Sequence, residues 1–419
     1  MLKDFKVSNF RTLYNELDIN MNKENVTELP DHLIEKKYLP VKLILGGNAT
    51  GKTNTILAIE VLKNIIVNKG IYINDKNENI YSNYSLFSNI NDKKKYLEPI
   101  KFYINFINNN EYEYFLQIKN NENHETNIEY EKLIVNNIKI FERHGNELKI
   151  NYSDKTKKYF KDIDKSYIEN TEKMFNNETI DHNGIFISYL LFLKDIIDDF
   201  NDYFINKLII ISSFDNIINT IRIDRVPSGT NVIDINQSLY NEIIKLSDFG
   251  NQNIILRLSK NQEKNILNKP ELLSQYKMGD ETLTVPSQLT ESSGTLKLFD
   301  YIPVIDVALK NGITMIVDEI DSSINPVLIV GLINLFTNSE INKNGAELIF
   351  TTHNPVYLAN DLLRRDEIEI LEKDENTLTT VGYTIADIKG VRKGESLLKN
   401  YLAGKYGPIH EIDFENIIK

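Results

Sequence analysis

The sequence predicts an α/β fold: a mixed core sheet joined to an antiparallel β subdomain, with a helical insertion. Three observations predict it. The apolar runs "VKLIL", "ITMIV" and "LIFTT" have the character of strands buried on both faces. The first passes through glycines directly into "TNTILAIEVLKNIIV", which has helical period. Between the first run and the second lie short alternating segments with Asn-rich turns, the pattern of an antiparallel meander.

Taken in order, "LKDFKVSNF" and "ELDINM" alternate and read as a first strand pair. "VKLILGG" is a buried strand, and the helix follows it. Residues 70–98, rich in Asn, Ser and Lys, read as a long surface excursion. "IKFYINFI", "EYEYFLQI", "NIEYEKLIV", "KIFERH" and "ELKINY" form the meander. From about 155 to 247 the signals turn helical, in "KTKKYFKDIDKSYIENTEKMF", "GIFISYLLFLKDIIDDFNDYFINKL" and "SLYNEIIKLSDF". No sustained heptads suggest a coiled-coil arm. "NIILRLSK" to "ETLTVPSQLTESSG" returns to extended character, and residues 295–310 read as a helix. "GITMIVDEID" is a strand with an acidic end. "PVLIVGLINLF" is a helix with Pro in its first turn, and "AELIFTTHNP" is another buried strand. The tail holds the short strands "EIEILEK" and "LTTVGYT" and the helix "ESLLKNYLAG". These signals divide the chain into an N-terminal lobe over 1–150, a helical insertion or lid over 151–285 and a C-terminal lobe over 286–419.

Composition bounds the function. The 419 residues, 41 % hydrophobic and 26 % charged, suffice for a large core. A net charge of −12 argues against a surface that grips nucleic acid all over, though a local basic groove stays open. With no cysteine there is neither a disulfide framework nor a thiolate metal site, and the six histidines show no metal-ligand spacing. "MLKDFKVSNFRTLY" is too charged for a signal peptide, and no apolar run approaches the roughly 18–20 residues of a membrane span. A cytoplasmic chain without a membrane partner is expected.

Gly46-Gly47-Asn48-Ala49-Thr50-Gly51-Lys52-Thr53 fits G-x-x-x-x-G-K-[ST] between a buried strand and a helix. Backbone N–H groups at such a helix start wrap a phosphate, and glycines let the backbone come close. Lys52 is expected to reach the β/γ-phosphates and the Thr53 hydroxyl to ligate Mg²⁺. A metal-holding carboxylate on a second strand is expected from Asp318, at the end of an apolar run, with Glu319 as general base for the attacking water. His353, just past the next buried strand, is a candidate contact to the γ-phosphate. Ser292, Ser293 and Gly294 open a helix and offer small side chains and free N–H groups, a further anion site. As an N-cap alone, either serine is already explained.

The order of these motifs resembles an ABC-type P-loop ATPase head. "GGNATGKTN", with Asn48 and Asn54, and "VSNFRTL" resemble the branch holding the SMC, Rad50, RecF and OLD-type ATPases. "ESSGT" stands in for the signature Leu-Ser-Gly-Gly-Gln, with Ser293 and Thr295 as departures, and "DEIDSSINP" resembles the Walker B and D-loop run with Asp321 in the D-loop position. The resemblance implies an ATP hydrolase using ATP and Mg²⁺ whose heads dimerise on ATP. Each site would combine Lys52 and Asp318 of one subunit with Ser292, Ser293 and Gly294 of the other, with Arg11 touching nucleotide phosphates. The tail "RKGESLLKNYLAGKYGPI" resembles the RloA/AbiL-like (AAA_15) bacterial ATPases of abortive infection and phage defence. That implies a sensor or switch in a homodimer or higher homo-oligomer, controlling a separate effector such as a Toprim/RloB-like nuclease, with DNA or a phage protein as trigger. The alternative is a RecF- or Rad50-like DNA-maintenance ATPase that binds DNA. A scaffold that binds ATP without hydrolysing it, and a transporter subunit, are weaker alternatives. Two departures from the pattern stand out. The only glutamine near the expected Q-loop, Gln117, sits inside a strand pattern. "DLLRRDEIEILEKDEN" lacks the acidic spacing of a Toprim domain, so no nuclease domain is expected in this chain.

Overall fold

The computed structural model describes residues 1–71, 93–122, 126–160, 163–177, 184–190, 193–212, 253–257, 260–261, 266–267, 271–359 and 362–407. The first strand pair is β1 (Leu2–Ser8) and β2 (Leu17–Asn20), antiparallel as expected. β3 (Val41–Gly46) is buried along its whole length and runs into helix α1 (Lys52–Val67). Most of the surface excursion falls outside the described residues; its far end is the short helix α2 (Lys93–Tyr96). The meander is β4 (Ile100–Ile107), β5 (Glu111–Asn120), β6 (Thr126–Val135), β7 (Ile138–His144) and β8 (Glu147–Ile150). It continues the first pair into one sheet, ordered β2-β1-β4-β5-β6-β7-β8.

The region read as helical holds α3 (Lys165–Asn176) and α4 (Lys194–Asp202), and a π turn over Tyr203–Lys207 ends the latter. Asp164 caps α3 through the Tyr167 N–H. One part of that reading is corrected. The run starting at the end of "NDYFINKL" is strand β9 (Leu208–Ile211), not helix. A four-residue apolar run has no period to separate strand from helix. Parallel pairing with the central strand, Leu208 opposite Thr314 through Ile211 opposite Val317, decides it. Phe106 of the meander stacks on Tyr203 at 4.0 Å between centroids and anchors the turn that delivers β9. The expected helix "SLYNEIIKLSDF" lies outside the described residues. The insertion also carries β10 (Asn253–Arg257), the two-residue pair β11 (Lys260–Asn261) and β12 (Ile266–Leu267), and the hairpin β13 (Glu271–Met278) and β14 (Glu281–Pro286). Strands β10, β13 and β14 form a separate antiparallel sheet.

Next come α5 (Ser293–Asn311), β15 (Thr314–Val317), α6 (Pro326–Thr337), β16 (Glu347–Thr352), β17 (Ile368–Lys373), β18 (Thr380–Thr384) and α7 (Leu397–Leu402). The core sheet has the order β18-β17-β3-β16-β15-β9; all its pairs are parallel except β17 with β18. Side chains alternate between its faces. Ile44, Ile316, Ile349 and Leu371 join the core shared with α1 and the meander. Leu43, Leu45, Met315, Val317, Leu348 and Phe350 join the core under α5 and α6. The sheet is therefore covered on both sides, as its largely apolar strands require. The C-terminal ends of β3, β15 and β16 converge at one edge, where an open parallel sheet binds ligands.

Candidate active site

The glycine-rich loop turns where β3 ends. Gly46 has no room for a side chain: a Cβ there would lie 2.5 Å from the Leu371 carbonyl oxygen and 2.6 Å from Thr50 Oγ1. Ala49 and Gly51 take positive φ, 60° and 104°, and Gly51 starts α1 without a side-chain cap. Gly47, Asn48 and Ala49 are exposed; Thr50 is buried, and its hydroxyl donates to the Gly47 carbonyl at 3.0 Å. The first turn of a 16-residue helix thus points free N–H groups outward from a tight backbone arch, the arrangement that accepts phosphate.

Lys52 is 4 % exposed and folds back into this arch. Its ammonium donates to the Gly46 carbonyl at 2.9 Å and the Gly47 carbonyl at 2.6 Å. Burial lowers its pKa to about 8, against the opposing pull of Glu319 and Asp318. His353 Nδ1 lies 3.1 Å from Lys52 Nζ, and His353 Nε2 lies 3.3 Å from Glu319 Oε1. An ammonium has only hydrogens to offer, so Nδ1 accepts and the imidazole proton sits on Nε2, donating to Glu319. Lys52 at the start of α1, His353 after β16 and Glu319 after β15 thereby form one chain of contacts.

Asp318, 2 % exposed, follows β15, and its N–H donates to the Ile211 carbonyl of β9. The corrected strand β9 therefore helps to place the candidate metal ligand. Asp318 Oδ2 accepts from Thr53 Oγ1 at 3.0 Å and Oδ1 from Thr351 Oγ1 at 2.6 Å. Thr53 and Asp318 stand side by side as hard oxygen donors, and such a pair fits Mg²⁺, which takes few protein ligands beside phosphate oxygens and water. Among the described residues no group of three or more His, Asp or Glu could hold a metal by itself. Glu319 has φ 49°, a left-handed backbone that turns its side chain towards His353.

Sequence reasoning placed these residues but missed their supports. Thr351 and Thr352 end β16 fully buried; the first holds Asp318, and the second donates to Asp321 Oδ2 at 2.8 Å. Lys297 of α5 donates to the Glu319 carbonyl at 3.3 Å. Burial lowers its pKa, while Glu319, Asp321 and Asp318 pull it upwards. Its position one turn after Gly294 is the only signal the sequence carried for it. At the other flank Arg11 Nη1 donates to Asn54 Oδ1 at 3.3 Å, and Asn54 Nδ2 donates to Thr12 Oγ1 at 2.8 Å. Thr380 of β18 donates through its N–H and its hydroxyl to Thr12. Arg11 thus stands beside the first turn of α1, tied there by a small polar network.

Ser292, Ser293 and Gly294 open α5, where Ser292 caps the helix through the Thr295 N–H at 3.2 Å. Both serines are exposed. Gly294 packs on the turn after Glu319: a Cβ there would lie 2.0 Å from the Ser323 carbonyl oxygen. They meet the site through Lys297 and this turn. Gln117 lies within β5, paired across to Lys101 and Tyr130. The surface cavities of about 460 and 500 Å³ lie elsewhere and hold no residue of the loop. An exposed backbone arch, rather than a deep hollow, is the candidate anion site here.

The family described as "AAA domain, putative AbiEii toxin, Type IV TA system" matches residues 43–359. No curated protein matches the chain. Among solved structures it is similar to an SMC head domain from Thermotoga maritima, with 15 % identity, a TM-score of 0.41 and coverage of 91 % of this chain and 98 % of that one. It is also similar to the recombination mediator protein RecF of the RecFOR pathway, with 12 % identity, a TM-score of 0.37 and the same coverage. At these scores neither likeness carries a role over to this chain. No helix among the described residues is long and apolar enough to cross a membrane.

Proposed function

From the premise that the chain belongs to this AAA-domain ATPase family, we propose that it is a Mg²⁺-dependent ATP hydrolase that closes on a second copy of itself around ATP. We further propose that it serves as the switch of a bacterial anti-phage system, controlling a separately encoded effector. The observation that carries the hydrolase reading is the convergence of Thr53 with Asp318 and of Lys52 with His353 and Glu319 at one sheet edge. Backbone N–H groups of the loop cradle the phosphates, and Lys52 exchanges its carbonyl partners for β/γ-phosphate oxygens. Thr53 and Asp318 would hold the metal, which supplies charge neutralisation at the transferring phosphoryl group. Water attacks the γ-phosphorus, the bond to ADP breaks, and Glu319 takes the water proton while His353 Nε2–H holds the carboxylate in line. The exposed Ser292 and Ser293 are offered to the partner's nucleotide.

The defence role rests on the family description and on the tail, whose likeness to the RloA/AbiL-like AAA_15 group is the narrower part of this proposal. The test is ATP hydrolysis by the purified chain with and without double-stranded DNA, following DNA cutting in the same tubes. Basal hydrolysis indifferent to DNA, with no cutting, supports a switch that waits for a partner. Strong stimulation by DNA favours a DNA-maintenance ATPase instead. Chelator-sensitive cutting contradicts the separate effector.

A further inference from the structure

Thr352 has the placement to connect two loops that the hydrolysis reading treats separately. Its side chain is fully buried at the end of β16. The hydroxyl donates to Asp321 Oδ2 at 2.8 Å and accepts from the Asn354 N–H at 2.9 Å. His353 lies between Thr352 and Asn354 in sequence, so this one oxygen pins the backbone on both sides of the imidazole. The ring in turn touches Lys52 at 3.1 Å and Glu319 at 3.3 Å. The neighbouring Thr351 acts in the same way on the other side, where its hydroxyl donates to Asp318 at 2.6 Å and accepts from the Glu319 N–H at 2.7 Å. Adjacent strand residues point to opposite faces, so the threonine pair grips the Asp318–Asp321 turn from two sides. Beyond Asp321 the same turn meets the start of α5, where Gly294 sits against Ser323 too closely for a side chain.

We propose that Thr352 is a positioning residue that passes the location of the Asp321 turn to His353, so that pressure on this turn aligns the His353–Glu319 pair for hydrolysis. This rests on the reading that a second copy closes over the face that exposes Ser292 and Ser293. A copy docking there displaces the turn first. Asp321 moves with it, and the hydroxyl carries that movement to the peptide bearing His353. ATP binding, which uses the loop and Lys52, does not need the link; turnover does.

The test compares Thr352→Val, which keeps the shape and removes the hydroxyl, with Thr352→Ser, which keeps the hydroxyl. Readouts are the Kd for a non-hydrolysable ATP analogue, kcat and KM for ATP, and mass in solution with and without ATP. Expected for Thr352→Val is a Kd within about twofold of wild type and a kcat lower by roughly tenfold or more, since small misplacements of reacting groups cost that much. Thr352→Ser restores kcat. Asp321→Ala removes the acceptor without touching the buried strand and gives the same kcat loss. Combined with Thr352→Val it adds little further loss, because both act through one link. Wild-type kcat in Thr352→Val overturns the proposal, as does a parallel loss of Kd and kcat that serine fails to rescue. If Thr352→Val does not fold, full kcat in Asp321→Ala overturns it instead. A wild-type chain that neither hydrolyses ATP nor gains mass with ATP overturns the underlying reading, which is a different result from a closing, hydrolysing chain indifferent to Thr352.

Discussion

Lys52 is held in the loop at a measurable cost. Moving its pKa from 10.5 to about 8 sets an upper bound of about 3 kcal/mol on the penalty for the ammonium, which solvent and the Gly46 and Gly47 carbonyls reduce. The folded value lies below the unfolded one, so this penalty is full below pH 8 and fades as pH rises towards 10.5. Phosphate oxygens in the loop would relieve it. Two consequences can be measured. Lys52→Met removes the buried charge, so the variant is more stable than wild type at pH 7, by up to about 3 kcal/mol, while losing ATP binding. In the wild type, about one tenth of the chains carry the ammonium at pH 9, so ATP binds roughly tenfold more weakly there than at pH 7. Denaturant unfolding gives the first quantity, and equilibrium titration with a fluorescent ATP analogue gives the second. A variant less stable than wild type that still binds ATP, or an affinity unchanged between pH 7 and pH 9, refutes the reasoning.

Other substitutions read other parts of the site. Gly46→Ala puts a Cβ 2.5 Å from a backbone oxygen of β17, and it should weaken ATP binding at least tenfold and cost about 1–3 kcal/mol in unfolding experiments. Ser293→Arg, at an exposed position that caps nothing, should leave ATP affinity intact and stop ATP-dependent association, as read by sedimentation; Gly294→Arg is a poorer test because its Cβ would already strike Ser323 within the same chain. Glu347 is buried, and burial raises its pKa from 4.5 to about 7. The folded state keeps its proton longer than the unfolded one, so the wild type loses stability as pH rises from about 4.5 to 7. Glu347→Gln should flatten that loss and melt roughly 5 °C higher than wild type at pH 8.

The parts of this molecule legible in the sequence are those where residue type and local geometry coincide. β3, β15 and β16 are buried on both faces and carry runs of apolar residues, with Lys42 and Glu347 as buried charged exceptions. Asp318, Glu319 and His353 directly follow such strands, and Lys52 and Thr53 open the helix after the glycine loop that ends β3, so local patterns locate them. Strand β9 was not legible because its four apolar residues extend a helical stretch, and only a distant neighbour, β15, selects the extended form. Lys297, Thr351, Thr352, Thr12 and Thr380 were silent for a related reason. Their roles come from contacts between segments far apart in the chain, and no spacing rule reports which hydroxyl will meet which carboxylate. Gly294 shows the reverse case. Its place in a signature-like run suggested a surface for the partner, whereas its lack of a side chain is also demanded by Ser323 of its own chain.

The central claim is that ATP closes two copies of this chain and that Glu319 opens them by hydrolysis. The most direct measurement is the mass of Glu319→Gln in solution by light scattering, with Mg²⁺ and with or without ATP. Expected are 48.5 kDa without nucleotide and twice that mass with ATP, held for as long as hydrolysis is blocked. A mass that ignores ATP, together with hydrolysis at the wild-type rate, would contradict both the closure and the assignment of the base.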